Sequence, residues 1–485
     1  MRRRDFLKLS AVSIGSLSLT PAQLFAQRGG GLHSGSSKEP FLISLAEWSL
    51  NKTLRAGKMT NLDFPRVAKR DFNIDCIEFV DQFFADKAQD MSYLRELKTR
   101  AEGEGVTMGL IMIDTTGDFG AAEKADRDKA IEKTFPWIDA AKFLGCHTVR
   151  INARGPGSAD ELRDKIVESC SRLADYAAPR DLNIAIENHG KLSSDPAWLS
   201  SVMQAVNKPN FGTLPDFGNF PSDINRYDAV ETLMPWAKAV SAKASRINAE
   251  GWVEETDFFK MMRIVRDFGY SSYVGIESSP SKQEEEYDYI RKTRDLLLKV
   301  REHHRRVPPI FNGRDLTGWT KIEGGEWTVE NGVLIGRNGQ NWSTNPERTG
   351  SWLSTENQYQ DFRLELQFSI NKGGNSGVFF RSLHERNPAF TGYEMQIHDS
   401  PGRPPGKGGP GSLYDVIAPA KNMIRQAGQW NYATILARGP KIIVEMNGER
   451  IIETEQTRSL KGYIGLQNHD ARSEVRFKNI RLEEL

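Results

Sequence analysis

The chain has 485 residues, of which 38% are hydrophobic and 27% are charged, and its formal net charge is +1. This balance gives no basic patch for nucleic-acid binding and no excess of one charge, so the composition predicts an ordinary globular protein of two or three domains. The only cysteines are Cys76, Cys146 and Cys170. They lie at apolar positions with no zinc-ligand spacing, which predicts buried free thiols rather than a disulfide.

The amino-terminal stretch reads "MRRRDFLKLSAVSIGSLSLTPAQLFAQ". A charged start, a short apolar run and a small-residue end are typical of a signal peptide, and the run is too short and too interrupted for a membrane span. "RRDFLK" resembles the twin-arginine export signal; an ordinary secretory signal is the alternative. We expect a signal over residues 1–26, a Gly/Ser-rich linker over 27–39, and export to the periplasm or the exterior rather than an integral membrane protein.

Eight short apolar runs follow, with starts 28 to 40 residues apart. The runs are nearly continuous rather than alternating, as expected for parallel strands covered on both faces, and helical patterns separate them. They are residues 41–45, 74–80, 107–113, 147–152, 183–189, 211–219, 239–244 and 273–278. Eight strand–helix units predict a (β/α)8 TIM barrel over residues 40–305.

In such a barrel the polar residues at the carboxyl ends of strands are the active-site candidates. Three acids stand out there, each after an apolar run: Glu187, Asp216 and Glu277. Neighbouring strand ends bring these carboxylates together, where they would repel one another. Either a divalent cation such as Mn²⁺ or Mg²⁺ binds them, or the basic side chains nearby neutralise them. Those basic residues are Arg150, Lys243 and Arg246.

The motifs "IAIENHG", "LPDFGN", "VSAKA" and "VGIES" resemble those of the xylose isomerase-like barrels, a sugar isomerase/epimerase superfamily. The resemblance implies a metal held by Glu187, Asp216 and Glu277, but it places a histidine ligand where Ser241 stands. It also implies proton transfer beside a sugar carbonyl. Glu187 and Glu277 are then the candidate acid and base, and the cation is either the metal or Lys243.

Two further residues of the barrel complete this candidate site. His189 is predicted to orient Glu187 or to bind a sugar hydroxyl, and a purely structural hydrogen-bonding role is the alternative. Arg150 is predicted to contact the substrate. No organic cofactor is expected.

A long helical pattern ends at "VPPI" (307–310), and alternating strand patterns and turns then replace helical ones. "FRLELQFSI" (362–370) alternates apolar and polar residues, and Asn447-Gly448 predicts a tight hairpin turn. Many strands over residues 308–485 indicate a β-sandwich of the jelly-roll type.

One sheet face of this sandwich is predicted to be unusually varied. Alternation places Arg381 opposite the core-facing Val378 and Phe380, and it places three polar side chains of "YEMQIHD" on one face. The cluster comprises Arg381, Glu394, Gln396 and His398, and Gln467 and His469 join it from another strand as substrate-binding candidates. A plain solvated sheet face is the alternative.

The motifs "IFNGRDLTGW", "GNSGVFFR", "GYEMQIHD", "GSLYDVIAP", "QWNYATILARG" and "YIGLQNHD" resemble the 3-keto-disaccharide hydrolase domain. The resemblance implies cleavage of glycosides whose glucose is oxidised at C3. The ketone makes the C2 proton acidic, and its removal gives an enolate that can expel the aglycone. Either His398 or Glu394 is the base and the other is the acid; Arg381 is the candidate enolate stabiliser, and Gln396 belongs to the same cluster.

We therefore expect an exported two-domain carbohydrate enzyme that acts on a sugar or a keto-glycoside. One alternative has only one active domain. Another is a carbohydrate-binding sandwich attached to a degenerate barrel, with a stacking platform of tryptophans. The candidates for that platform are Trp319, Trp327, Trp342 and Trp352.

Overall fold

The computed structural model of the chain describes residues 39–340 and 350–485. The predicted signal peptide and Trp342 lie outside the described residues. Within the described ranges, no helix combines the length and the apolar character that a membrane span requires.

The first half is a barrel of eight parallel strands, as predicted. The strands are β1 (Leu42–Ala46), β2 (Cys76–Val80), β3 (Thr107–Met112), β4 (Thr148–Ile151), β5 (Asn183–Glu187), β6 (Phe211–Leu214), β7 (Val240–Ala244) and β8 (Tyr273–Ser278). Their hydrogen-bonded order runs from β6 back to β1 and then through β8 to β7. Parallel bridges from Thr213 to Ala237 and from Asp216 to Ser241 close the ring between β6 and β7.

Helices alternate with these strands and cover the barrel. They are α1 (Asn51–Arg55), α2 (Phe64–Phe72), α3 (Met91–Gly103), α4 (Lys124–Leu144), α5 (Ala159–Ala177), α6 (Pro196–Val206), α7 (Arg226–Leu233), α8 (Phe258–Asp267) and α9 (Glu286–Arg306). Helix α5 illustrates how the sequence sets them. Ser158 and Glu161 form a capping box at its start, and Leu162, Ile166 and Cys170 bury one face against the barrel. All three cysteines are buried free thiols, as predicted.

The second half is a sandwich of two antiparallel sheets. Its strands are β9 (Trp319–Ile322), β10 (Glu326–Glu330), β11 (Val333–Arg337), β12 (Trp352–Tyr359), β13 (Phe362–Ile370), β14 (Asn375–Ser382), β15 (Tyr393–His398), β16 (Asn431–Arg438), β17 (Lys441–Met446), β18 (Glu449–Glu455), β19 (Gly462–Gln467) and β20 (Val475–Glu484). A short helix, α10 (Pro388–Thr391), precedes β15. One sheet has seven strands, ordered β10-β11-β20-β13-β16-β17-β18, and the other has five, ordered β15-β14-β19-β12-β9.

The predicted hairpin and the predicted core faces are both present. Asn447 and Gly448 have positive φ angles of 52° and 86°, which a type I′ turn between β17 and β18 requires. The alternating apolar residues of β14 and β15 point into the core between the sheets. The opposite side of these two strands therefore forms the outward face of the five-stranded sheet.

The barrel packs against the seven-stranded sheet. Arg266 at the end of α8 forms a 3.0 Å ion pair with Glu365 of β13, and both side chains are buried. The neighbouring Asp267 accepts a 3.2 Å hydrogen bond from Gln367 through its side chain and a 3.1 Å bond from Asn479 through its carbonyl. Because the barrel occupies this sheet, the outward face of the five-stranded sheet lies on the far side of the sandwich from the barrel.

Candidate active sites

The three strand-end acids of the barrel meet at one point. Glu187 ends β5, Asp216 follows β6, and Glu277 lies near the end of β8. All three side chains are buried, and one oxygen from each lies within 4.8 Å of the oxygens of the other two. Carboxylates at this spacing are suited to a hard divalent cation.

Glu187 forms an ion pair with a basic side chain of the barrel. Its Oε2 lies 2.8 Å from Arg150 Nε, and its Oε1 accepts a 2.9 Å hydrogen bond from Asn219 Nδ2. Arg150 also donates a 2.7 Å hydrogen bond to Asp114 Oδ1, so this guanidinium joins two acids. Arg150 therefore reaches the acidic cluster, as predicted.

Strand β7 supplies the other groups of the cluster. Ser241 Oγ donates a 2.7 Å hydrogen bond to Asp216 Oδ2, and Lys243 Nζ pairs with Glu277. The Lys243 side chain is only 11% exposed. Arg246, by contrast, is 70% exposed and pairs with Glu254, so the prediction that it neutralises the acids is wrong.

The protonation balance shows how far these cations compensate the acids. Burial raises the pKa of Glu187 and of Asp216, against the lowering effects of Arg150 and Lys243. Burial also opposes ionisation of Glu277, but Lys243 outweighs it and lowers the pKa of that carboxyl. Three carboxylates face one ammonium group and one guanidinium, and Arg150 shares that guanidinium with a fourth acid, Asp114. The acids therefore outnumber the cations, so the donor set fits a divalent cation even with Ser241 in the histidine's place.

His189 lies at the rim of this cluster. Its Nδ1 is 3.3 Å from Arg154 Nη2, and its backbone N–H donates to Ser193 Oγ. Burial lowers the pKa of His189, and Arg150 lowers it further, which keeps the ring neutral. A neutral imidazole at the rim suits a hydrogen bond to a substrate hydroxyl.

Two asparagines that the sequence pattern did not indicate complete the barrel site. Asn188 exchanges hydrogen bonds of 2.7 Å and 3.0 Å with the backbone of Asp216, and Asn219 holds Glu187. Both lie inside the motifs "IENHG" and "LPDFGN", so their positions directly beside the acids were the available signal.

In the sandwich, the register of β14 and β15 builds the second cluster. Glu394, Gln396 and His398 lie opposite Phe379, Gly377 and Asn375 respectively. The three polar residues therefore share the outward face of the five-stranded sheet, on the side away from the barrel.

Glu394 is the most buried acid of this face, with 3% of its surface exposed. A Cβ atom at Gly377 would overlap its carboxylate, so the glycine provides the space in which that group lies. The Gln396 amide, in the orientation that satisfies its neighbours, donates to Ser376 O at 2.8 Å and to Glu394 Oε1 at 3.2 Å. Burial raises the pKa of Glu394 to about 8.

His398 lies at the more open end of the same strand. Its Nδ1 is 3.1 Å from Ser400 Oγ. Burial lowers the pKa of His398 and the positive charge of Arg403 lowers it further, whereas Asp399 opposes the shift. His469 itself lies 2.9 Å from Asp470 Oδ2 through Nδ1. The membership of His469 in the cluster stays a prediction, and Arg403 is a nearby cation that the sequence pattern did not indicate.

Arg381 does not join the cluster. Its buried guanidinium donates to the carbonyls of Gln360 and Gly439 at 2.8 Å and 2.7 Å, and to Asp361 Oδ1 at 3.1 Å. The pairing of β14 with β19 is irregular between Phe379 and Ser382, and Arg381 has a φ of 52°. This bulge breaks the alternation on which the prediction depended, so the assignment of Arg381 as enolate stabiliser is wrong.

The prediction of a tryptophan stacking platform is also wrong for the described residues. Trp319, Trp327 and Trp352 are 5%, 4% and 0% exposed, so their rings are not available for stacking on a glycan at the surface. Trp352 occupies the space that Gly465 leaves on the outward face.

Comparison with known families supports this division of the chain. Residues 67–298 match the family described as the xylose isomerase-like TIM barrel. Residues 307–483 match the family described as the 3-keto-alpha-glucoside-1,2-lyase-like domain.

Three relatives illustrate the similarity. A 3-keto-disaccharide hydrolase from Bacteroides thetaiotaomicron is 26% identical over 227 residues, which is 36% of this chain and 77% of the relative. The solved IolI protein with a bound zinc atom is 14% identical, with a TM-score of 0.45, 54% of this chain covered and 99% of that chain. The solved 3-keto-D-glucoside 4-epimerase YcjR from E. coli is 15% identical, with a TM-score of 0.40, 55% of this chain covered and 100% of that chain.

Both resemblances seen in the sequence are thus confirmed. The chain is thus similar to the xylose isomerase-like TIM barrels over residues 67–298 and to the 3-keto-alpha-glucoside-1,2-lyase-like domains over residues 307–483.

Proposed function

We propose that the sandwich cleaves 3-keto-glucosides by removing the proton at C2 and expelling the aglycone from C1. The observation that carries the proposal is that Glu394 and His398 share one outward face, with a buried carboxyl and a less buried imidazole on the same strand. Ordinary glycosidases instead place two carboxylates on either side of an oxocarbenium-like centre. The family match and the activity of the Bacteroides relative, a 3-keto-disaccharide hydrolase, support the same substrate class.

The resting protonation states assign the two roles. Burial and nearby positive charge keep His398 neutral, whereas burial keeps Glu394 protonated up to a pH of about 8. His398 is therefore the base that takes the C2 proton, and Glu394 is the acid that protonates the departing oxygen. The C2–H electron pair forms C2=C3 while the ketone π pair moves to O3. Collapse of this enolate forms C1=C2, re-forms the ketone and breaks the bond from C1 to the aglycone oxygen.

The position of the Glu394 carboxylate brings the acid towards the base. Glu394 and His398 are four residues apart on one strand, a Cα separation of about 13 Å. The carboxylate, however, occupies the space above Gly377, which pairs with Gln396. It therefore lies two residue pairs, about 7 Å, closer to His398, and we place the sugar ring between the two groups with C2 facing the base and O1 facing the acid. Addition of water across C1=C2 would then make the overall reaction a hydrolysis.

For the barrel we propose proton transfer beside a sugar carbonyl. Glu187, Asp216 and Glu277 would hold a divalent cation such as Mn²⁺ or Mg²⁺, which would polarise a ketone oxygen when bound. Glu187 and Glu277 come from strands that are not neighbours, so they can exchange protons with different faces of a sugar. His189 at the rim would bind a hydroxyl, and Lys243 keeps Glu277 ionised.

The amino-terminal "RRDFLK" motif supports a further proposal, that the chain is exported. Both sites would then act on sugars outside the cytoplasm. Loss of export on replacing Arg3 and Arg4 by lysine would support it, and unchanged export would refute it.

The test of the proposed function uses the full-length protein with an aryl 3-keto-glucoside and its parent glucoside. Aglycone release from the keto substrate alone is expected, because without the ketone the C2 proton is too weakly acidic for a side-chain base. Equal release from both substrates would refute the mechanism. Repeating the assay with a chelator and with Glu187→Gln shows whether the barrel contributes to release; neither treatment is expected to reduce it.

A further inference from the structure

An enolate at O3 requires a hydrogen-bond donor or a cation, and Arg381 cannot supply it because its guanidinium is committed elsewhere. The hydrogen-bond partner of the Glu394 carboxyl among the described residues is the neutral amide of Gln396, and burial raises the pKa of this carboxyl. If the sheet face around Glu394 is to stabilise the negative charge on O3, a neutral hydrogen-bond donor is the group to look for.

Gln467 is a neutral donor whose side chain has no partner in the described ranges. Its side chain is 1% exposed, and among the described residues neither Oε1 nor Nε2 has a hydrogen-bond partner. An unsatisfied buried amide lowers the stability of the fold, because it has lost its hydrogen bonds to water. Such a group at a sheet face is readily explained by a ligand that completes its hydrogen bonds.

The register places Gln467 beside the acid. Val378 pairs with Leu466 and Phe379 with Gly465, so Gln467 is the lateral neighbour of Gly377 on the next strand. Neighbouring strands lie about 4.8 Å apart, and the Glu394 carboxylate lies over Gly377. On its other side Gln467 pairs with Trp352, whose buried Nε1 also lacks a hydrogen-bond partner in the part of the chain that the structure describes. A group held above Gly377 is thus within reach of both Glu394 and Gln467.

We propose that Gln467 Nε2–H donates a hydrogen bond to O3 of the bound 3-keto sugar and stabilises the enolate that forms there. The inference rests on the proposed function and extends it by naming the group that takes the role first assigned to Arg381. In the step itself, the C2 proton moves to His398, the C2–H electron pair becomes the C2=C3 bond, and the ketone π pair becomes the O3 lone pair that Gln467 receives. A neutral amide makes this contribution at any pH at which the base is active.

The test separates enolisation from departure of the aglycone. A 3-keto sugar without a leaving group at C1, 3-keto-1,5-anhydroglucitol, is incubated with the full-length protein in D₂O, and exchange at C2 is followed by NMR. Removal of one donor to a developing oxyanion costs about 10²–10³-fold in rate. Gln467→Met, which keeps the volume, and Gln467→Glu, which replaces the donor by an acceptor, should both slow exchange by that factor. The Gln358→Ala variant, which changes an exposed glutamine of the same sheet, should exchange the C2 proton at the wild-type rate.

The outcomes are distinguishable. Slow exchange and slow aglycone release in both Gln467 variants, with melting temperatures near that of the wild type, support the proposal. Exchange within about threefold of wild type in either folded variant overturns it, and so does a variant that slows release but not exchange. A wild-type protein that neither exchanges the C2 proton nor releases aglycone refutes the proposed function itself, and this inference with it.

Discussion

The buried acids of the two candidate sites have different partners. In the barrel, Glu187 and Glu277 each contact a cation, through Arg150 and Lys243 respectively. In the sandwich, the buried Glu394 has a neutral amide for a neighbour and retains its proton. In the barrel, Arg150 and Lys243 oppose the rise in pKa that burial causes, and Lys243 keeps Glu277 ionised. The partner of Glu394 is neutral, which suits a carboxyl that holds a proton for a leaving group. The predictions below test this contrast.

The largest expected effect is on aglycone release. His398→Ala removes the base and Glu394→Gln removes the acid, and each should slow release from a 3-keto-glucoside by about 10²–10⁴-fold. The Glu394→Gln loss should shrink for a good leaving group such as p-nitrophenolate, which departs without a proton. Glu356→Gln, an exposed acid on the same sheet, is the matched control. Wild-type rates in both variants would make this face a plain solvated surface.

Loss of a buried cation should destabilise the barrel strongly. Lys243→Met leaves Glu277 without its partner, and breaking a buried ion pair in this way costs about 3–5 kcal/mol. Lys292→Met, which breaks an exposed pair with Asp288, should cost less than about 1 kcal/mol. Calorimetric unfolding measures both. If the three carboxylates bind Mn²⁺, millimolar Mn²⁺ should restore much of the loss; unchanged stability of Lys243→Met without metal would refute the contrast.

Much of the barrel could be predicted from the sequence. Continuous apolar runs located all eight barrel strands, and the polar residues at their ends located Glu187, Asp216 and Glu277. The boundaries differed by a few residues, as for 211–219, where the strand ends at Leu214 because Pro215 cannot donate a ladder hydrogen bond.

The error at Arg381 has a specific physical cause. Alternation assigns faces only while the ladder is regular, and the bulge in β14 with its positive φ is set by long-range pairing with β19. Local sequence pattern carries no information about that pairing. The same limit hid the proximity of Gln467 to Gly377, which depends on register between strands far apart in sequence.

A smaller change should displace the acid without removing it. Gly377→Ala places a methyl group where the Glu394 carboxylate lies, so that group must move. A shift of about 1 Å in a catalytic group can cost about 10²-fold in rate. Gly406→Ala, where a Cβ meets no atom within 4 Å, is the matched control. Aglycone release at the wild-type rate in Gly377→Ala would contradict the assigned position of the acid.

The smallest effect is the pH dependence of release. The rate should fall as the pH drops through the pKa of His398, which lies below its usual 6.5, because the base becomes protonated. It should fall again above about 8, where Glu394 ionises and the acid is lost. Each limb corresponds to about tenfold per pH unit. A p-nitrophenyl substrate should lose the upper limb; a limb that stays unchanged with that substrate would refute Glu394 as the acid.

The central claim is that cleavage in the sandwich begins with loss of the C2 proton. The most direct test uses a 3-keto-glucoside with deuterium at C2 and follows both the rate of aglycone release and the fate of the label. We predict slower release from the deuterated substrate and transfer of the deuterium to solvent. Equal rates together with deuterium retained at C2 of the product would contradict the mechanism.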